Sequence, residues 1–310
     1  MASRLAFPTL PPVRAALLAA IVLAASLAHA DPACPAGVPA TRILPLESAQ
    51  IGVAVDINGS GPFKFLLDTG SQLTVLEPSL AEQLELPSAG SIGIVSVAGQ
   101  SLAALAVVDR VGIGPNEFHL TRVAVLDLAS IQTVNPLVRG VLGQDFLAHF
   151  DLLIDRPHML LCFDQTGGMQ RELDGEHVPV LRSVVVPADP AFTEPVLIEA
   201  HLQGSDAGPA VLKLDCGGNV PLLFTSKQHS RAKSEKLREG SALGRRSPLA
   251  FRNLSPRNVM IGARRLHGVT FVTPATDAGP RAGEDGLLPI TLFKRVFISN
   301  RDRFVIFDPR

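Results

Sequence analysis

The chain has no tryptophan and no tyrosine among its 310 residues, and only three cysteines. Cys34, Cys162 and Cys216 form no Cys-x-x-Cys and have no spacing that suggests a zinc site. The histidines are scattered, with no His-x-x-x-His pair. No Gly-x-Ser-x-Gly is present to form a nucleophile elbow, and no Gly-x-x-x-x-Gly-Lys to cradle a phosphate, so a serine hydrolase and a P-loop enzyme are unsupported. Charge is balanced: 28 Lys and Arg against 29 Asp and Glu give a net charge of −1. That balance implies no general affinity for nucleic acid or membranes. After the first thirty residues no run is long and apolar enough to span a bilayer, which takes about 20 residues.

What is present begins with a leader. Arg4 and Arg14 precede an apolar run from Ala15 to Leu27, and Ala28-His29-Ala30 fits a small-residue cleavage site. Residues 1–30 therefore read as a secretory signal peptide, which implies a periplasmic or secreted protein with no stable membrane anchor once the leader is removed. Removing two arginines leaves a net charge near −3. The remaining chain, about 280 residues from Asp31, is long enough for two lobes of about 140 each. An exported protein can oxidise one cysteine pair and must leave the third thiol over. Cys34 with Cys162 is one possibility and no disulfide the other.

Short strand-like segments separated by Gly, Pro and Asn dominate. Ile51–Ile57 is rich in β-branched residues and is followed by the turn Asn58-Gly59-Ser60-Gly61-Pro62. Phe63–Leu67 reads as the next strand and Pro78–Leu84 as a short helix. Further strands are expected near Gly93–Val97, Leu105–Ile113, Arg122–Leu126, Leu152–Ile154 and Met159–Phe163. The second half repeats this order at offsets of about 144 to 147 residues. Val196–Leu202 answers the first strand, and Val211–Leu214 the second. Gly286-Leu287-Leu288-Pro289 answers Gly140-Val141-Leu142-Gly143, and Phe297–Asp308 answers Phe150–Asp164. Four matches in one order point to duplication. The expected division is a first lobe over 31–170 and a divergent second lobe over 171–310, with the boundary in Gln165–Val178.

The run Phe65-Leu66-Leu67-Asp68-Thr69-Gly70-Ser71 returns in altered form as Leu212-Lys213-Leu214-Asp215-Cys216-Gly217-Gly218. An acid followed by a small residue and a glycine, entered from an apolar strand, puts a carboxylate at a tight turn. Two such turns could bring two carboxylates together, and paired carboxylates can share one proton, one serving as base and the other as acid. Asp68-Thr69-Gly70-Ser71, with Val141-Leu142-Gly143 downstream, resembles the retropepsin-like and pepsin-like aspartic proteases over residues 48–165.

That resemblance implies a mostly β fold of two homologous β-barrel lobes with a cleft between them. It implies an exported aspartic endopeptidase acting on polypeptide through Asp68 and Asp215, with no cofactor and no metal. The alternative is a catalytically inactive peptide-binding protein of the same fold. Thr69 would brace the opposite loop through its hydroxyl, and Ser71 would support the outer carboxylate oxygen. In the second turn Cys216 stands where Thr or Ser is expected, weakening the brace, while Gly217 keeps its place and Gly218 removes one side-chain hydrogen bond. The flap is expected over Ile92–Leu102 with Ala98, Gly99 and Gln100 at its tip. Lacking tyrosine, the chain resembles the retroviral type, whose flap meets substrate through backbone. A monomer is expected, with a homodimer pairing two copies of Asp68 as the other possibility. Between Lys227 and Arg265, eleven Lys or Arg stand against two Glu. This reads as a solvated helix over Ser226–Glu239 with basic loops; Arg245 and Arg246 overhanging the cleft is the sharper reading.

Overall fold

The computed structural model describes residues 34–97, 99–183, 192–205, 208–224, 234–240 (backbone), 249–275 and 283–310. The leader, the flap residue Ala98 and the arginines Arg245 and Arg246 lie outside the described residues. Among the described residues no helix is long and apolar enough to cross a membrane.

The fold is mostly β. Ile51–Ile57 places Ile51, Val53, Val55 and Ile57 in the core, as its β-branched alternation dictates. It pairs antiparallel with Ser60–Leu67, three residues longer than expected because the polar turn is itself drawn into the ladder. The strand expected over Leu105–Ile113 is broken in two. Gly99–Val107 and Val111–Ile113 are separated where the Asn58 side chain accepts bonds from the Asp109 and Arg110 N–H groups at 2.9 and 3.0 Å. The expected helix forms over Pro78–Gln83, with proline in its first turn and Leu80 buried.

The duplication is visible strand by strand. One sheet follows the order Ser88–Ser96, Gly99–Val107, Arg122–Val125, Val75–Leu76, Gly140–Leu142, Ser60–Leu67, Ile51–Ile57, Val111–Ile113, Asn116–Phe118. The other follows Ser234–Gly240, Leu249–Leu254, Val272–Pro274, Leu222–Leu223, Gly286–Pro289, Ala210–Asp215, Leu197–Leu202, Arg257–Ile261, Arg264–Val269. Parallel pairs fall at equivalent places: Gly140–Leu142 beside Ser60–Leu67, and Gly286–Pro289 beside Ala210–Asp215. Ser234–Gly240 corrects the last part of the helix expected over Ser226–Glu239, whose residues 226–233 lie outside the described residues; its polar, helix-prone sequence is held extended by pairing with Leu249–Leu254.

A third sheet joins the halves. Its order is Ala40–Arg42, Leu160–Asp164, Asp151–Asp155, Arg295–Ser299, Phe304–Phe307, Val178–Pro179. One apolar cluster runs continuously from Val53, Phe65 and Leu142 through Ile154, Val296 and Val305 to Leu212 and Leu288. The lobes therefore share a core. Cys34 and Cys162 form a disulfide across this base, and Cys216 is free and buried.

Candidate active site

Each candidate carboxylate stands at the end of a ladder. Leu67 pairs with Leu142, and the next bond runs from the Asp68 N–H to the Leu142 carbonyl at 3.0 Å. The chain then turns, the Ser71 N–H donating to the Asp68 carbonyl at 3.2 Å. In the second lobe Leu214 pairs with Leu288 and Asp215 with Pro289.

The two turns face each other at contact distance. A Cβ added to Gly70 would lie 2.9 Å from Asp215 Cγ, and one added to Gly217 would lie 2.4 Å from Asp68 Cγ. Each glycine thus makes room for the other lobe's carboxyl. Gly70 N–H donates to Asp68 Oδ1 at 2.7 Å, and Gly218 N–H donates to Asp215 Oδ1 at 2.8 Å. Gly218, which brings no side-chain hydroxyl, makes this bond from its backbone. Ser71 corrects its expected role. Its hydroxyl donates to the Leu73 carbonyl at 2.7 Å, a local bond two residues on.

Behind the carboxyls the turns grip each other reciprocally. Thr69 Oγ1 donates to the Leu214 carbonyl at 2.9 Å and accepts from the Cys216 N–H at 3.1 Å. Cys216 Sγ accepts from the Thr69 N–H at 3.1 Å and donates to the Leu67 carbonyl at 3.3 Å. The thiol thus makes both contacts its threonine counterpart makes, as a weaker donor. Burial, with the charge of Asp68, pushes the Cys216 thiol up, so it keeps its proton.

Burial pushes Asp68 up to about 8, reinforced by the charge of Asp215 and a hydrogen bond with it. The Gly70 N–H and the ammonium of Lys213 act the other way. Two carboxyls in hydrogen-bond contact cannot easily both ionise, and Asp68 keeps its proton into the neutral range.

The first turn has a further brace. Asp145 accepts from the Thr74 N–H and hydroxyl, each at 2.7 Å, and from the Phe146 N–H at 2.9 Å. Thr74 Oγ1 in turn accepts from the Gly143 N–H at 3.2 Å. Burial nonetheless holds Asp145 up at about 6. Gly143 is needed because a Cβ there would lie 2.4 Å from the Leu73 backbone.

A hairpin of Ser88–Ser96 and Gly99–Val107 occupies the expected flap position, closing between Ser96 and Gly99. Gly99 has φ +106°, a conformation that favours glycine, and Gln100 is exposed. Ile92, Ala103 and Leu105 pack with Leu66, Leu73 and Val75 of the first lobe. Val97, beside the tip, packs with Leu222, Phe251 and Val272 of the second. Two contacts had no signal in the sequence. Gln50 Nε2 reaches the Gly217 carbonyl at 2.5 Å, and Gln72 Nε2 bonds the Thr193 carbonyl at 2.9 Å. A third, Lys213, did have one: a charge inside the apolar run leading to Asp215.

Residues 53–146 match the family model described as aspartyl protease. The match covers both Asp68–Ser71 and Val141–Gly143, the motifs that carry the resemblance. No curated protein matches the chain. Among solved structures, a retropepsin-like aspartic protease from Rickettsia conorii is 21% identical, with 41% of this chain and 92% of that chain covered and a TM-score of 0.31. An aspartic proteinase from Irpex lacteus is 12% identical, with 87% of this chain and 97% of that chain covered and a TM-score of 0.49.

Proposed function

We propose that the chain is an exported aspartic endopeptidase that hydrolyses peptide bonds with water activated by the pair Asp68 and Asp215. The observation that carries this reading is the meeting of the two carboxyls across the lobes, each made room for by the other lobe's glycine. Amide hydrolysis needs a proton taken from water, a polarised carbonyl and a proton delivered to the leaving nitrogen. A pair sharing one proton supplies all three. The ionised oxygen takes the proton from water as it attacks, and the protonated carboxyl hydrogen-bonds the carbonyl oxygen. The proton taken from water then passes to the departing amine, which restores the pair. Neither step calls for a metal or a covalent intermediate. The hairpin over Ser88–Val107, anchored in both lobes, would shield the reacting bond from bulk water.

Export is supported by the leader's composition and by the Cys34–Cys162 disulfide, a bond that persists in oxidising compartments. A monomer is supported because Asp68 already faces a second carboxyl within its own chain. The altered second turn, with Cys216, Gly218 and Pro289, favours the other reading: a peptide-binding protein that does not cleave.

Cleavage of a mixed peptide library between about pH 3 and 8 separates these readings, using the leader-free protein, Asp68→Asn and Asp215→Asn. Either substitution should lower the rate about 10³-fold or more. Loss with Asp68→Asn alone would mean that Asp215 takes no part. Binding without cleavage by the unsubstituted protein would leave the peptide-binding reading standing.

A further inference from the structure

The strand leading to Asp215 carries a charge where its counterpart carries none. By the repeat, Lys213 stands where Leu66 does: Leu66 pairs with Val141 and Lys213 with Leu287. In the same register Glu284, two residues before Gly286, stands where Val138 precedes Gly140. Leu66 and Val138 belong to one buried apolar cluster of the first lobe. Lys213 and Glu284 form an ion pair instead, 3.2 Å from Nζ to Oε2, with side chains only 16% and 13% exposed. Removing two charges from water this far costs more than packing an apolar pair, and the first lobe shows that an apolar pair fits. Stability alone therefore does not explain it. Strand alternation puts Lys213 on the face that carries Asp215.

We infer that Lys213, held by Glu284, is a positioning residue for the proton of the carboxyl pair, its ammonium offsetting the crowding of two acids. The inference rests on reading Asp68 and Asp215 as an acting pair. Burial and the charge of Asp215 push Asp68 up, and Lys213 pulls it back. The other described groups around Asp68 lie on the two turns and the flap hairpin. The opposite turn presents Asp215 and the neutral Cys216 thiol, and its own turn presents the Gly70 N–H with the hydroxyls of Thr69 and Ser71 engaged elsewhere. The flap hairpin, residues 88–107, contains no charged side chain. Beside Glu284, Asp285 is occupied by the Val211 N–H at 2.9 Å. Among the described residues Lys213 is thus the cation that acts on the pair from this side, and Glu284 tempers it.

The two members of the ion pair should act in opposite senses, which a merely structural role would not do. Titration of the aspartate carboxyls by ¹³C NMR reads the pair directly, and a pH–rate profile reads it in catalysis. Lys213→Leu combined with Glu284→Val copies the first lobe's apolar pair and is the variant most certain to fold. It should raise the apparent pKa of the pair, and the alkaline limb of the profile, by about 1 unit. Glu284→Gln, which leaves the ammonium untempered, should lower both, and Lys213→Arg should leave both in place. A folded double variant whose titration and profile stay where they were would overturn the inference. Titration shifts in the expected directions with no cleavage by any form would uphold the electrostatic link while overturning the protease reading.

Discussion

The two lobes share nine strands in one order yet brace their turns by different means. In the first, Asp145 gathers three donors and Thr74 accepts from the Gly143 N–H. In the second, the repeat puts Pro221 where Thr74 stands, Pro289 where Gly143 stands and Thr291 where Asp145 stands. Pro289 has no N–H to satisfy, and Pro221 has neither the N–H nor the hydroxyl that Asp145 serves. Donor and acceptor disappear together, so no polar group is orphaned. Replacing both partners of a buried hydrogen bond is close to neutral, whereas replacing one is costly. Backbone pairing survived duplication intact, while polar side chains changed in matched sets.

The sharpest break in that comparison is Asp145→Ala. It would leave the Thr74 N–H and hydroxyl and the Phe146 N–H without their acceptor inside the first lobe. The expected cost is about 3 kcal/mol or more in urea unfolding. Thr291→Ala, at the equivalent place, should cost under about 1 kcal/mol. Similar losses at both positions would mean that the second lobe has a polar brace of its own.

The reciprocal grip tests the comparison at smaller scale. Thr69→Val keeps the shape but removes a donor to the Leu214 carbonyl and an acceptor for the Cys216 N–H. About 2 kcal/mol of stability should go, and the cleavage rate should fall as the turns lose register. Cys216→Thr makes the lobes alike and restores a stronger donor to the Leu67 carbonyl. Its thermal midpoint should stay level or rise slightly. A fall of several degrees would show that the pocket is shaped to sulfur.

Much of this architecture is legible in the residues alone, and the illegible parts have physical causes. Ile51–Ile57 follows from its β-branched residues, Pro78–Gln83 from apolar residues at helical spacing, and the matching order of the two sheets from the repeated order of segments. The turn at Asp68 follows from one motif. Ser234–Gly240 is different. Its Ser-Glu-Lys-Leu-Arg-Glu-Gly composition suits a helix, and only its partner Leu249–Leu254 makes it a strand. The ion pair of Lys213 with Glu284 joins residues 71 apart through strand register, which a one-dimensional reading does not supply. The role of Ser71 depends on which atom the turn presents, its hydroxyl finding a carbonyl two residues on.

The finest difference between the lobes lies in the carboxyls themselves, and pH isolates it. Asp68 is pushed up to about 8 from an ordinary 3.8, so between those values the folded protein holds a proton that the unfolded chain has released. Folding stability from this group is therefore full below about pH 4 and declines as pH rises toward 8. Asp145, raised to about 6, and His149, lowered by burial from 6.5, also titrate in the lower part of that window, with opposite effects. Above about pH 7 Asp145 is largely ionised in both states and His149 largely neutral in both, which leaves Asp68 the clearer view. Urea unfolding between about pH 7 and 8 should show stability falling by up to about 1 kcal/mol per pH unit. Asp68→Asn, which has no proton to lose, should flatten that slope while abolishing cleavage. An equal slope in both proteins would mean that the carboxyl is already ionised at neutral pH and that the lobes do not share a proton there.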